Sequence, residues 1–452
     1  MTRGSARAPV VLLVLLPQLW IFQGGGWNQN SRFALARALV TRGSLRIEAD
    51  AAATGDLAVR DGHLYSDKVP GVAFGAAAAL VLVGPLASAL GLDPDQPWWW
   101  RAVPYAVTVL TVSIPVALTA GALYEELAAA FGAAAALLAI AAVFLASPLL
   151  GYAGLLYGHA LAGSALALAF IALRRGAVGW AGFASAVAIL IELTAAMGAL
   201  MLFAWALSLP ALRPRLWRGL LAAVPPLLLL AVYDAAAFGS PFSIGYAHLP
   251  PAQFEGMGQG LFGVHLPRPE ALWQLTFGAH RGLFRFSPVL LLAFAGARDL
   301  RRRDAFVVFG LFAAFLLVNA GYVYWDGHAS FGPRHAVPGL VLLCLPLAAS
   351  ARRWPRLALA LLFPSLLVCG LAWATRPEAA PMDWDPLLDS WLPFWRKDAI
   401  ASSILWFNSK DALDYRSGFS LPMLAGLDGR LSLLPLLPLT GALLWWWRKA
   451  SR

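Results

Sequence analysis

Charge is scarce in this chain of 452 residues: 13% are Asp, Glu, Lys or Arg, while 60% are hydrophobic and the mean hydropathy is +0.68. That balance excludes an ordinary soluble domain. Lysine is scarcer still, with Lys68 the only one before residue 397. The two cysteines, Cys344 and Cys369, both lie inside apolar runs, which excludes a disulfide framework or a thiolate metal site and leaves them as packing residues. Walker, GxGxxG, HExxH and CxxC signatures are missing, so nothing signals nucleotide, dinucleotide or zinc chemistry. No cofactor is expected, and a divalent metal stays open without a motif to support it.

What is present is apolar sequence in long runs. After a first run at VVLLVLLPQLWIF, others cover roughly 69 to 92, 103 to 123, 128 to 150, 157 to 173 and 178 to 209. The last of these is split in two at Glu192. Further runs follow near 218 to 236, 284 to 298, 305 to 323, 336 to 350, 355 to 374 and 432 to 447. A bilayer core needs about 20 such residues per helix, so the expected fold is an all-α polytopic membrane protein of about 12–13 transmembrane helices with a long first extracytoplasmic loop. The basic start MTRGSARAP has no small-x-small cleavage site after its apolar core and reads as a retained first span.

The net charge of +10 comes from arginines gathered in short loops, where the positive-inside rule places them, and nucleic acid is not expected as a partner. Putting those clusters in the cytoplasm places the first loop (25–68), the loop 239–283, the turn from Trp325 to His335 and the segment 376–431 outside. The two halves of the chain then disagree by one crossing somewhere between 69 and 173. Residues 1–374 are expected to form the membrane module, and 375–452 an outside cap followed by the last span. In the first loop, Phe33, Ala36, Leu39 and Val40 at helical spacing predict a surface helix capped by Ser31 and stopped at Gly43, with the rest of the loop irregular.

The polar groups that could do chemistry cluster in few places. Lys68 opens the helix that follows Pro70 and Gly71, where an ammonium and helix N–H groups suit a phosphate; a snorkelling interfacial lysine is the plainer alternative. Asp67 beside it and Asp56 in a Thr-Gly-Asp turn are candidate general bases, or solvated loop carboxylates. The segment YVYWDGHASFGPRHAVPG brings Arg334 and His335 as phosphate partners beside Trp325, with an aromatic belt as the alternative. Arg281 lies where the positive-inside rule would not put it, a hint of an anionic ligand or of lipid phosphate. Glu192 and His159 are ionisable groups inside apolar runs, expected to line a cavity with Tyr65, or else to make a buried hydrogen bond.

At these residues the chain resembles a family. A signal-anchor span, a long first outside loop with a helix, YSDKVPG opening the second span and a later WxG…GPR turn resemble the polytopic GT-C glycosyltransferases, notably the bacterial phospholipid-carrier-dependent and dolichyl-phosphate-mannose-type enzymes. The pattern runs from Trp27 to about Pro338. The resemblance implies a polyprenyl-phosphate-linked sugar as donor and a lipid, glycan or protein as acceptor, at the outer face of a bacterial inner membrane. It also implies that Lys68 and Arg334 hold the donor phosphate. Family members carry an acidic pair early in the first loop; here Gln29 and Asn30 stand there. Either Asp56 or Asp67 replaces that pair, or the chain is a non-catalytic lipid-carrier binder or transporter that kept the fold.

Overall fold

The computed structural model describes residues 6–250, 254–403 and 418–452, so parts of the expected loop 239–283 and of the expected cap lie outside the described residues. Thirteen labelled helices carry the architecture. They are α1 (Arg7–Trp20), α2 (Trp27–Arg42), α3 (Gly71–Ala89), α4 (Trp99–Phe131), α5 (Ala133–Leu145), α6 (His159–Arg174), α7 (Val178–Ile191), α8 (Ala195–Leu207), α9 (Arg213–Phe238), α10 (Arg302–Gly321), α11 (Arg334–Arg353), α12 (Pro355–Thr375) and α13 (Leu436–Ala450). Among the described residues, α3, α4, α9, α10, α11 and α12 are long and apolar enough to cross a membrane. With the shorter apolar helices they make a multi-pass membrane protein. Between α7 and α8 the chain breaks at Glu192, whose backbone is extended, where the split was expected.

The bundle has two unlike ends. At one, Arg7 pairs with Glu125 at 3.3 Å, Arg175 with Glu126 at 2.6 Å and Arg174 with Asp304 at 3.9 Å, which gathers basic clusters from distant parts of the chain. From Arg174, α6 runs back to His159 at the other end, where the loops form a polar cavity. Residues after 375 are stitched to the first helix: β1 (Ile21–Phe22) pairs antiparallel with β4 (Phe419–Ser420), and the Trp20 indole donates to the Ser432 carbonyl at 2.9 Å.

Four expectations need correction. The first-loop helix starts at Trp27, after three glycines, with Gly26 as its cap. Ser31 is therefore inside the helix, its hydroxyl bonded to the Asp56 carbonyl at 2.7 Å and the Ser66 hydroxyl at 2.8 Å. That helix is also no surface element, since its residues from Asn28 to Ala36 are buried and Arg32 ion-pairs with Glu192. The rest of the loop is not all irregular: β2 (Leu57–Arg60) and β3 (His63–Ser66) form a hairpin turning on Asp61 and Gly62, both at positive φ as a type I′ turn requires. Finally, the run 284 to 298 is not one helix, because Ser287–Pro288 divides it into short pieces.

The start of α3, Gly71, packs against the Leu190 carbonyl at the cavity end of α7. At the start of α4, Trp99 and Trp100 lie under the Arg37 guanidinium of α2, 5.5 and 4.7 Å from the ring centroids.

Candidate active site

Six stretches line the cavity, among them the start of α2 and the Tyr157 loop before α6, and the other four are placed as follows. The hairpin β2–β3 delivers Asp56 at its entry and Asp67 and Lys68 at its exit. A second stretch brings Tyr246, because Gly245 lets its backbone approach that of Asp67 so closely that a Cβ would lie 2.6 Å from the Asp67 carbonyl oxygen. The third is the turn before α11. Its Asp326 and His328 carbonyls accept from the Arg281 guanidinium at 2.9 and 2.7 Å, and Gly327, at φ +72°, leaves the space that the Arg334 side chain crosses. The fourth follows α12, where the Ser330 amide donates to the Ala379 carbonyl at 3.1 Å and so fixes Glu378 beside that turn.

Together they enclose a cavity of about 520 Å³, lined among others by Asp56, Asp67, Lys68, Arg334, Glu378 and the aromatic rings of Tyr157, Tyr246, Tyr322 and Tyr324. Its size is that of a small-ligand site. The Lys68 ammonium pairs with Asp56 at 2.9 Å and Asp67 at 2.8 Å. Burial opposes the lysine charge, but the two carboxylates outweigh it and hold Lys68 above its ordinary pKa. Burial also pushes Asp67 up to about 6, partly offset by Lys68 and reinforced by Asp56. Arg334 differs. Its guanidinium donates to His335 at 3.4 Å and lies 5.9 Å from the Tyr157 ring centroid, and among the described residues it has no carboxylate partner.

No protein-family model and no curated protein matches the chain. Among solved structures, ArnT from Cupriavidus metallidurans bound to undecaprenyl phosphate aligns with a TM-score of 0.52 at 17% identity, over 87% of this chain and 68% of that one. The chain shares the ArnT fold. The same protein in its apo state aligns with a TM-score of 0.45 at 16% identity, over 76% of this chain, which spans 58% of the length of that one. The all-α, multi-pass membrane fold expected from the sequence is thereby met.

In this ArnT-like fold the other candidate residues stand back from the cavity. Glu192 pairs with Arg32 at 2.8 Å and approaches the His159 Nδ1 at 3.7 Å. His159 stacks on Tyr157, and His335 packs edge-on against both His159 and Tyr322. These three groups support the wall and do not line the space. Tyr65 sits among Phe238, Tyr233 and Ala34 in a separate apolar cluster. Trp325 meets His280, and Arg281 is consumed by the backbone carbonyls of the turn. Sequence reasoning missed Glu378, which lies in RPEAAP after the last long span, and missed Tyr157 and Tyr246. Gln29 is buried, and its amide donates to Glu378 at 3.3 Å. Among the described residues no group of three or more His, Cys, Asp or Glu side chains is placed to hold a metal ion.

Proposed function

We propose that the protein is a membrane glycosyltransferase, moving a hexosyl or pentosyl unit from a polyprenyl-phosphate carrier to a lipid, glycan or protein acceptor at the outer face of a bacterial inner membrane. One observation carries this reading: Arg334 presents a half-buried guanidinium to the cavity that, among the described residues, has no carboxylate within ion-pair distance. A planar fork of that kind suits phosphate oxygens. Lys68 adds a second cation. An ammonium has three N–H donors and the aspartates engage two, which leaves one for the ligand.

In the proposed reaction the acceptor hydroxyl oxygen attacks the anomeric carbon, the bond from that carbon to the phosphate oxygen breaks, and polyprenyl phosphate leaves. Negative charge grows on the departing phosphate, where Arg334 and Lys68 stabilise it more in the transition state than in the ground state. The tyrosine walls offer flat apolar faces with hydroxyl tips, which suit a sugar ring. The shared fold adds support, since the ArnT structure was determined with undecaprenyl phosphate bound.

The test uses the purified full chain with synthetic polyprenyl-phosphate-linked sugars, following lipid binding and sugar release together. Binding with release is expected. Binding without release would favour a lipid-carrier binder or transporter, and absence of both would overturn the proposal.

A further inference from the structure

We infer that Glu378 takes the proton from the attacking hydroxyl, and that Asp56 and Asp67 do not. This rests on the group-transfer reading above and deepens it. The geometry separates the three carboxylates that line the cavity. Asp56 and Asp67 each commit an oxygen to Lys68, and a proton arriving on either would break that pair. Glu378 has no ion pair among the described residues. Its Oε1 accepts from the Tyr157 hydroxyl at 2.5 Å and its Oε2 from the Gln29 amide at 3.3 Å.

Two neutral donors thus orient the carboxylate and leave acceptor positions free, since an ionised carboxyl has about four. The backbone on either side is pinned: the Arg376 guanidinium bonds Asp383 and Ser390, both at 3.1 Å, and Ala379 pairs with Ser330. The titratable and charged groups that face Glu378 are Tyr157, Tyr152, Arg334 and Arg376. Burial pushes its carboxyl up to about 7, against the pull of Tyr157, Arg334, Arg376 and Gln29. A base poised there is half ionised near neutral pH, where general-base catalysis is most effective.

With water as the acceptor, the step balances as follows. The water oxygen bonds to the anomeric carbon, its proton passes to Glu378, and the bond from carbon to phosphate oxygen breaks with its electron pair leaving on polyprenyl phosphate.

The experiment measures release of sugar from a synthetic polyprenyl-phosphate-linked sugar to water between pH 5.5 and 9, with donor affinity alongside, for the wild-type chain, Glu378→Gln, Glu378→Asp, Asp56→Asn and Asp67→Asn. Because Glu378 must be ionised to act, wild-type turnover should rise with pH through a limb near 7. Glu378→Gln should lower turnover by about 10²- to 10⁴-fold, the usual worth of a general base, with donor affinity nearly unchanged and the limb gone from the residual rate. Glu378→Asp should keep part of the rate and move the limb, which decides the matter even if Glu378→Gln does not fold. The limb should survive in both Asn variants.

Wild-type turnover in Glu378→Gln, or a limb lost in Asp67→Asn or Asp56→Asn instead, would overturn the inference while leaving the transferase reading standing. A wild-type chain that binds donor and never releases sugar would remove both.

Discussion

The two ends of the bundle use charge differently. At the basic end the pairs are wet, with Arg175 and Glu126 at 55% and 26% side-chain exposure. At the cavity end Lys68, Asp56 and Asp67 are at 10%, 9% and 2%, and Arg32 is at 1%. Exposed pairs of the first kind contribute about 0–1 kcal/mol each, whereas a buried charge that loses its partner costs several kcal/mol. Among the described residues, it is the cavity end whose charges the fold or the chemistry must feel most.

That contrast can be broken most forcefully at Lys68. Lys68→Ala leaves two buried carboxylates facing each other, and should lower stability by about 3–5 kcal/mol, read as a drop in unfolding temperature or in folded yield. Adding Asp67→Asn to Lys68→Ala should recover part of the loss, because it removes one of the stranded charges. A fully stable Lys68→Ala would mean that the lysine merely snorkels and that the triad is not coupled.

A smaller effect is expected one layer behind the cavity. Glu192→Gln keeps an oxygen that accepts from the Arg32 guanidinium but removes its counter-charge, so stability should fall by less than the 3–5 kcal/mol of a fully broken buried pair, about 1–3 kcal/mol. Turnover per folded molecule should stay near wild type if Glu192 only holds Arg32. Loss of turnover at unchanged stability would move Glu192 into the reacting site. Smallest of all, Arg175→Gln at the basic end should change unfolding by less than about 1 kcal/mol. A larger loss there would erase the difference between the two ends.

Much of the site was legible because the chain has so few charges. A single lysine before residue 397 drew attention to Lys68, and a Gly-Pro-Arg turn to Arg334, and both line one cavity. What could not be read was pairing across long stretches of sequence. Arg32 reads as the polar face of a surface helix until Glu192 is placed beside it, and Glu378 reads as a loop residue until Tyr157 and Gln29 are seen to bond it. Periodicity reports which face of a helix is apolar and says nothing about a buried ion pair on another face. The hairpin is a different case. VRDGHLYS carries an Asp-Gly turn between two strand-length segments, so the signal was in the chain and local. The departure at Gln29 also has a physical setting: the amide there touches a carboxylate that arrives from the far end of the chain.

The central claim is that Arg334, a cation with no ion-paired carboxylate among the described residues, recognises a lipid phosphate. The most direct measurement compares the affinity of the purified chain for a polyprenyl phosphate with its affinity for the matching phosphate-free polyprenol, in wild type, Arg334→Ala and Arg334→Lys. The account predicts that wild type prefers the phosphate by about 10- to 100-fold, as one or two charge-assisted hydrogen bonds supply. That preference should collapse in Arg334→Ala and return only in part in Arg334→Lys, whose point charge lacks the planar fork. Equal binding of the two lipids by wild type, or an undiminished preference in Arg334→Ala, would contradict it.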